Sequence, residues 1–423
     1  MPEPIRIDDL AAPRLSPEQQ GVLAYTDSLD IDLGADALHE AAADLAGSSD
    51  FGDPEYRSRL AAYLGAVEAD IGLSSLGRLV QKNRVTRLLA SRALLTDLLH
   101  RHPEIRDVAI ERPLIVVGLP RSGTTHLVNL IAADPRRRAL PYWESQEPFP
   151  RPGEGPGADG IDPRFARIAA EHASEQSIAP LTKAMHDRFP AAIEEEVELL
   201  DVDFASYTLE WHARVPGWRD AYLGFDQDAH YGYLRTVLQA LTFLRGPRTW
   251  VLKSPQHLEQ LGPLMRTFPD ATVAFTHRDP VAVLTSAVTM LAYGDRIRRT
   301  TIAAPDLVAY WSDRIERLLQ ACVRDRALVP AAQSIDVRFS EAFSGQSQAG
   351  DLAVVEQFYE TAGVPMTTRA RRSLQTYVEA NPRGKHGRIV YDLAGDFGVT
   401  PAELRPRFEF YTDRFAITTE EHA

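Results

Sequence analysis

The chain's 423 residues are enough for one large α/β domain, alone or with a sizeable helical addition. Its 46 Lys plus Arg against 59 Asp plus Glu give a net charge of −13. That balance excludes nucleic acid as the main partner, which needs a broad positive face, but leaves room for a small anionic ligand held by a few cations. The single cysteine, Cys322, excludes internal disulfides and a cysteine-rich zinc site. Met1 to Asp9 lacks the basic-then-apolar order of a signal peptide, and no apolar run approaches the length of a membrane span. The expectation is a cytoplasmic enzyme.

Residues from about 15 to 110 read as helical. Leu76, Leu79, Val80, Val85, Leu88, Leu89, Leu94, Leu95, Leu98 and Leu99 recur at spacings of three and four, with Gln81, Lys82, Arg84 and Arg87 on the other face. His102-Pro103 suits the helix end. The pattern then changes. Leu114 to Val117 is a short continuous apolar run ending at Gly118, as expected of a strand buried on both faces. Further strands are predicted at Thr249–Leu252, Thr272–Thr276 and Ser334–Phe339, separated by helical stretches. Strands alternating with helices predict an α/β fold of three layers, with a central parallel sheet and a helical N-terminal region. The expected division falls between 1–110 and 111–423. Pro150 to Asp162 holds three prolines and four glycines in thirteen residues, a surface loop that is either an active-site lid or an insertion.

The most informative segment is Gly118-Leu119-Pro120-Arg121-Ser122-Gly123-Thr124-Thr125, directly after the first strand and opening an apolar helix. Two glycines permit a tight turn in which successive N–H groups face one anion, and the helix N-terminus adds partial positive charge. The spacing is that of the kinase and ATPase loop Gly-x-x-x-x-Gly-Lys-[Ser/Thr], but Thr124 stands where that loop has its lysine. A site without the lysine is poorly suited to ATP, yet it can hold a single 5′-phosphate.

Pro120 to Thr125 resembles the 5′-phosphosulfate loop of the sulfotransferases that use 3′-phosphoadenosine 5′-phosphosulfate (PAPS). The resemblance implies a P-loop-like fold, PAPS as co-substrate with adenosine 3′,5′-bisphosphate as product, and no metal. It places Arg121 near the transferring group and makes Ser122, Gly123, Thr124 and Thr125 donor-binding. Arg278, at the end of the third predicted strand, and Ser286, eight residues on, match the pair that holds the 3′-phosphate. Arg383-Gly384-Lys385 resembles, more loosely, the late Arg-Lys-Gly segment that closes over the same group. The likeness covers about 113 to 390, so that 111–423 becomes a PAPS-binding sulfotransferase domain. It is nearest to the bacterial branch with a long helical N-terminal region, and it says little about residues 1 to 70.

Sulfuryl transfer needs in-line positioning, charge stabilisation on the leaving oxygen and a base for the acceptor proton. Lys253 resembles the family's strand-end lysine at the leaving oxygen. Phenol and steroid sulfotransferases place a histidine base two positions later, where this chain has Pro255. Carbohydrate and bacterial trehalose sulfotransferases use instead a Glu some two dozen residues after the loop; Glu144, 23 residues after Arg121, is the matching candidate. His257 is the alternative. The run Glu194-Glu195-Glu196-Val197-Glu198 reads as a solvated helix face, and His172, His186 and His212 lack metal-ligand spacing. The acceptor is a small molecule bearing a hydroxyl: lipid, steroid, phenol or sugar. Trp211, Trp218, Tyr222 and Tyr231 either line its pocket or belong to the core. Two rival functions are a P-loop nucleotide kinase or NTPase, predicting ATP with magnesium, and an inactive nucleotide-binding protein.

Overall fold

The computed structural model describes residues 4–343, 348–382 and 385–420. Four helices open the chain: α1 (Pro17–Asp27), α2 (Ala35–Ala46), α3 (Tyr56–Ala69) and α4 (Ser75–Arg101). Ser74 caps α4 by accepting from the Gly77 amide, and the helix ends at His102, where Pro103 follows. The polar side of α4 departs from the sequence reading. Gln81, Arg84 and Arg92 are buried, because α4 runs through the middle of the helical layer. Each has a partner there. Gln81 bonds the Tyr63 hydroxyl (2.6 Å), Arg84 pairs with Glu198 (3.0 Å) and Arg92 with Asp203 (2.7 Å).

A short parallel pair joins β1 (Pro4–Arg6) to β7 (Arg388–Val390). The main sheet contains β2 (Leu114–Gly118), β3 (Arg137–Arg138), β4 (Thr249–Lys253), β5 (Thr272–His277) and β6 (Ser334–Arg338). All its pairings are parallel, in the order β3-β4-β2-β5-β6. The four predicted strands are present within a residue of their expected ends. β6 stops at Arg338, since Phe339 opens a helical turn, and two-residue β3 carried no apolar run to predict it.

Alternation sorts the strand side chains between two cores. Ile115, Val117, Leu252, Val273 and Phe275 share one core with the N-terminal helices. Leu114, Val116, Val251, Ala274 and Val337 share the other with Leu127 and Ile131 of α5 (Thr124–Ala132) and with Phe358. Each such side chain, nearly wholly buried, contributes about 1.5–3 kcal/mol of transfer free energy. This is the expected three-layer α/β fold. Chain order reverses at β2, whose neighbours are β4 and β5, and the crevice beyond the strands' carboxyl ends at such a point is where ligands bind. Among the described residues no helix is long and apolar enough to cross a membrane.

Candidate active site

A cavity of about 1090 Å³ opens beyond those strand ends. Its floor is the loop after β2. Arg121 (φ 69°) and Gly123 (φ 91°) both take left-handed backbone. For a side chain as large as Arg that conformation costs about 1–3 kcal/mol, and such strain persists where the surroundings enforce it. Gly123 is the N-cap of α5 and has no side chain to cap it, so the first amides of the helix are open to an anion. Ser122 does not face the cavity. Fully buried, its hydroxyl donates to Leu119 O (2.6 Å) and pairs with Thr276 Oγ1 (2.7 Å), tying the loop to β5. Pro120, Arg121, Gly123, Thr124 and Thr125 do line it. The approach of loop to β5 is so close that a Cβ on Gly118 would lie 2.0 Å from Thr276 Oγ1. Gly118→Ala is therefore expected to destabilise the fold by about 1–3 kcal/mol, read as a lowered urea midpoint.

The second and third predicted anion contacts separate. Arg121 Nε donates to Ser286 Oγ (3.0 Å), Ser286 bonds the Tyr391 hydroxyl (3.0 Å), and Arg278 Nη1 donates to Arg121 O (2.7 Å). Residues more than 150 positions apart thus meet beside the loop; Arg121 and Arg278 line the cavity, whereas Ser286 is buried behind them. Asp279 caps the helix Pro280–Arg298 that carries Ser286 by accepting from Val281 N (2.9 Å). Lys385 does not join them: its ammonium is exposed and donates to Ala380 O (3.3 Å). Arg383 and Gly384 lie outside the described residues.

The two base candidates are occupied elsewhere. After Pro141 the chain enters the one-turn helix α6 (Tyr142–Gln146), which turns Glu144 into the protein. Only 1 % exposed, Glu144 binds Arg138 (3.0 Å) with one oxygen and Arg245 (3.0 Å) with the other, and it does not line the cavity. This geometry argues against a proton-accepting role for Glu144. His257 is fully buried, with Nδ1 on the Tyr231 hydroxyl (2.7 Å) and Nε2 on Glu196 (2.7 Å), so neither nitrogen is free for an acceptor.

The glutamate run, by contrast, is largely buried, and only its last carboxylate, Glu198, lies in a helix, the single turn Val197–Leu200. Ile193 bridges to Pro141 and the Glu194 amide donates to Leu140 O (2.8 Å), holding Glu194 and Glu195 outside any helix, while Glu196 (φ −70°, ψ −4°) turns the chain into the next helical turn. Alternate side chains then diverge. Glu194 bonds His186 (2.8 Å), and Glu196 accepts from the Lys253 amide (2.6 Å) and bonds His257. Burial would raise the Glu194 carboxyl, but Arg188 and His186 hold it well below the usual carboxylate range. Glu195 points the other way, lines the cavity and pairs with the Lys253 ammonium. Burial pushes its carboxyl up to about 7, against the pull of Lys253. Lys253 itself is fully buried behind the wall, its Nζ 3.3 Å from Thr125 Oγ1 of the anion loop.

Away from the anion loop, the cavity carries an apolar stripe between polar groups such as Asn83, Arg87, Ser174 and Glu175. Leu76, Val80 and Leu94 of α4, Ile178 of α7 (Pro163–Ile178), and Met290 and Ile297 of the Ser286 helix line it. Trp211 lines it too, whereas Trp218, Tyr222 and Tyr231 are core. Of the Pro150–Asp162 loop, Arg151 reaches the cavity. Its volume exceeds the roughly 300–1,000 Å³ usual for a single ligand, which suits two reactants held end to end.

A family model described as "Sulfotransferase family" matches residues 113–367. The solved sulfotransferase STF1 from Mycobacterium tuberculosis H37Rv is 29 % identical over 90 % of this chain and 99 % of its own, with a TM-score of 0.77. STF9 from Mycobacterium avium shares the fold at 23 % identity and a TM-score of 0.80, over 93 % and 99 % of the two chains. No curated protein matches the chain. The family model spans more than half of the sequence, and both solved structures align over nearly the whole of it. This chain belongs to the sulfotransferase family.

Proposed function

We propose that this sulfotransferase takes its sulfuryl group from PAPS and passes it to the hydroxyl of an apolar small molecule. The observation that carries the reading is the convergence of Arg121, Ser286 and Arg278 with the open N-terminus of α5 at one end of a two-reactant cavity. PAPS supplies an activated sulfuryl group on a 5′-phosphate and a second phosphate at the 3′ position. The loop amides, Thr124 and Thr125 hold the 5′ end and take up charge on the leaving oxygen, with Arg121 alongside. Arg278 and Ser286 seat the 3′-phosphate, for which a planar guanidinium is the matching donor. Fit at the loop is supported by its glycine-lined cradle and by helix amides that no side chain caps.

Glu195 is the base in this reading. It stands in the cavity wall beside Thr124 and Thr125, and a carboxyl titrating near 7 is matched to accepting a proton at neutral pH. Its proton comes from the acceptor hydroxyl as that oxygen bonds to sulfur, and the bond from sulfur to the 5′-phosphate oxygen breaks with its electron pair. Lys253 is a positioning residue: it orients Glu195 and adds positive charge behind Thr125. The stripe of Leu76, Val80 and Ile178 favours a lipid, steroid or phenol over a sugar, because it offers apolar surface that a sugar's hydroxyls cannot use.

Calorimetry with adenosine 3′,5′-bisphosphate, adenosine 5′-monophosphate and ATP–magnesium tests the donor assignment. The bisphosphate should bind at least tenfold more tightly than either other nucleotide; a preference for ATP–magnesium would return the loop to kinase chemistry. For the acceptor, Val80→Trp should raise KM about tenfold for a phenol or long-chain alcohol while bisphosphate binding stays unchanged, the signature of lost binding confined to one reactant.

A further inference from the structure

The guanidinium assigned to the 3′-phosphate already holds an anion of the protein's own. Arg278 Nε donates to Glu420 Oε1 (2.6 Å) and Nη2 to Glu420 Oε2 (2.7 Å), a bidentate fork of the kind arginine makes with carboxylates and phosphates. Its remaining nitrogen is spent on Arg121 O, and its plane lies 4.3 Å from the Phe339 ring. The backbone around Glu420 is tied on both sides. Its amide donates to Asp279 Oδ2 (2.7 Å), its carbonyl accepts from Arg405 Nη2 (3.0 Å), and Arg405 pairs with Asp279 (3.0 Å). The residues leading to it are held far less. After the left-handed Ala416 the chain runs without regular structure, and Thr418 and Thr419 are exposed.

We propose that Glu420 is an intramolecular stand-in for the donor's 3′-phosphate, which occupies Arg278 until a 3′-phosphorylated nucleotide displaces it. The proposal rests on the assignment of Arg278 to that phosphate. A phosphate monoester brings up to two negative charges and three strong acceptor oxygens against one charge and two oxygens, so it wins the arginine. Affinity is then reduced by the fraction of molecules with Arg278 free. That cost falls on 3′-phosphorylated ligands alone. A nucleotide lacking the 3′-phosphate leaves Glu420 in place and gains nothing from Arg278.

The test uses the full chain as Glu420→Gln, which keeps both backbone bonds, and as Glu420→Ala. Each is titrated with adenosine 3′,5′-bisphosphate and with adenosine 5′-monophosphate. With about nine in ten molecules closed at rest, both variants should bind the bisphosphate about tenfold more tightly than wild type and the monophosphate equally. In wild type, adding the bisphosphate should speed amide hydrogen exchange over residues 416–420, although ligand binding ordinarily slows exchange. Unchanged bisphosphate affinity in both variants, or slowed exchange in that segment, overturns the proposal while leaving the donor assignment standing. A wild type that binds bisphosphate and monophosphate equally removes the 3′-phosphate assignment itself, and the proposal with it.

Discussion

Replacing Arg278 with alanine is expected to weaken binding of adenosine 3′,5′-bisphosphate about 100-fold, with adenosine 5′-monophosphate held within about a factor of two. The side chain offers two charge-assisted hydrogen bonds in a fixed fork. Bonds to charged groups are worth roughly 1.5–3 kcal/mol each, so their full loss would exceed the factor given. The expected value sits lower because wild type must first give up Glu420, a cost that the variant does not bear. Arg278 also donates to the Arg121 carbonyl, so the variant leaves that group unpaired and loses about 1 kcal/mol of stability. Titration well below the melting temperature keeps that loss apart from the binding effect. Equal weakening of both nucleotides would mean that Arg278 shapes the loop rather than reading the 3′-phosphate.

The second large effect concerns the base. Glu195→Gln is expected to lower kcat by about 10²–10⁴ with bisphosphate affinity unchanged, the range general-base removal commonly costs. The pH profile makes the prediction specific. Only the carboxylate accepts a proton, so with burial pushing Glu195 up to about 7, wild-type activity should be low in acid and rise through about pH 7. In Glu195→Gln that rising limb should vanish. Glu144→Gln should do the opposite. It leaves the largely buried Arg138 without its carboxylate, while exposed Arg245 keeps Asp162, so stability falls by about 1–3 kcal/mol while the rising limb stays in place. A kinetic collapse in Glu144→Gln with the pH limb shifted, and an indifferent Glu195→Gln, would restore Glu144.

What could be read from sequence divides by the range of the signal. The loop at Gly118–Thr125 was legible because its meaning is local: an apolar strand, glycines at turn positions and an apolar helix, all within some twenty residues. Arg278 and Ser286 were legible for the same reason, being a strand end and the second turn of the following helix. Glu195 was not. Contiguous carboxylates carry no period, and the direction in which Glu195 points is set by the Ile193–Pro141 bridge and by partners such as Lys253, far along the chain. Glu144 was read from spacing. Its distance from the loop matched a known pattern, but Pro141 starts a helical turn that aims it at Arg138 and Arg245. The buried polar face of α4 was hidden likewise, since whether an arginine meets water or an acid depends on what packs above it. Glu420 gave no signal, because nothing near it in sequence names Arg278.

Transfer itself is tested most directly by a labelling experiment. The full chain would be incubated with isotope-labelled PAPS and, separately, a long-chain alcohol, a phenol, a sterol and trehalose, with products followed by mass spectrometry. One of the apolar alcohols should gain a single labelled sulfuryl group, with adenosine 3′,5′-bisphosphate released in equal amount and both products lost in Glu195→Gln. Labelled trehalose with no apolar product would contradict the acceptor class. Label on no acceptor, from a protein that binds the bisphosphate tightly, would contradict the enzyme and leave a nucleotide-binding protein in its place.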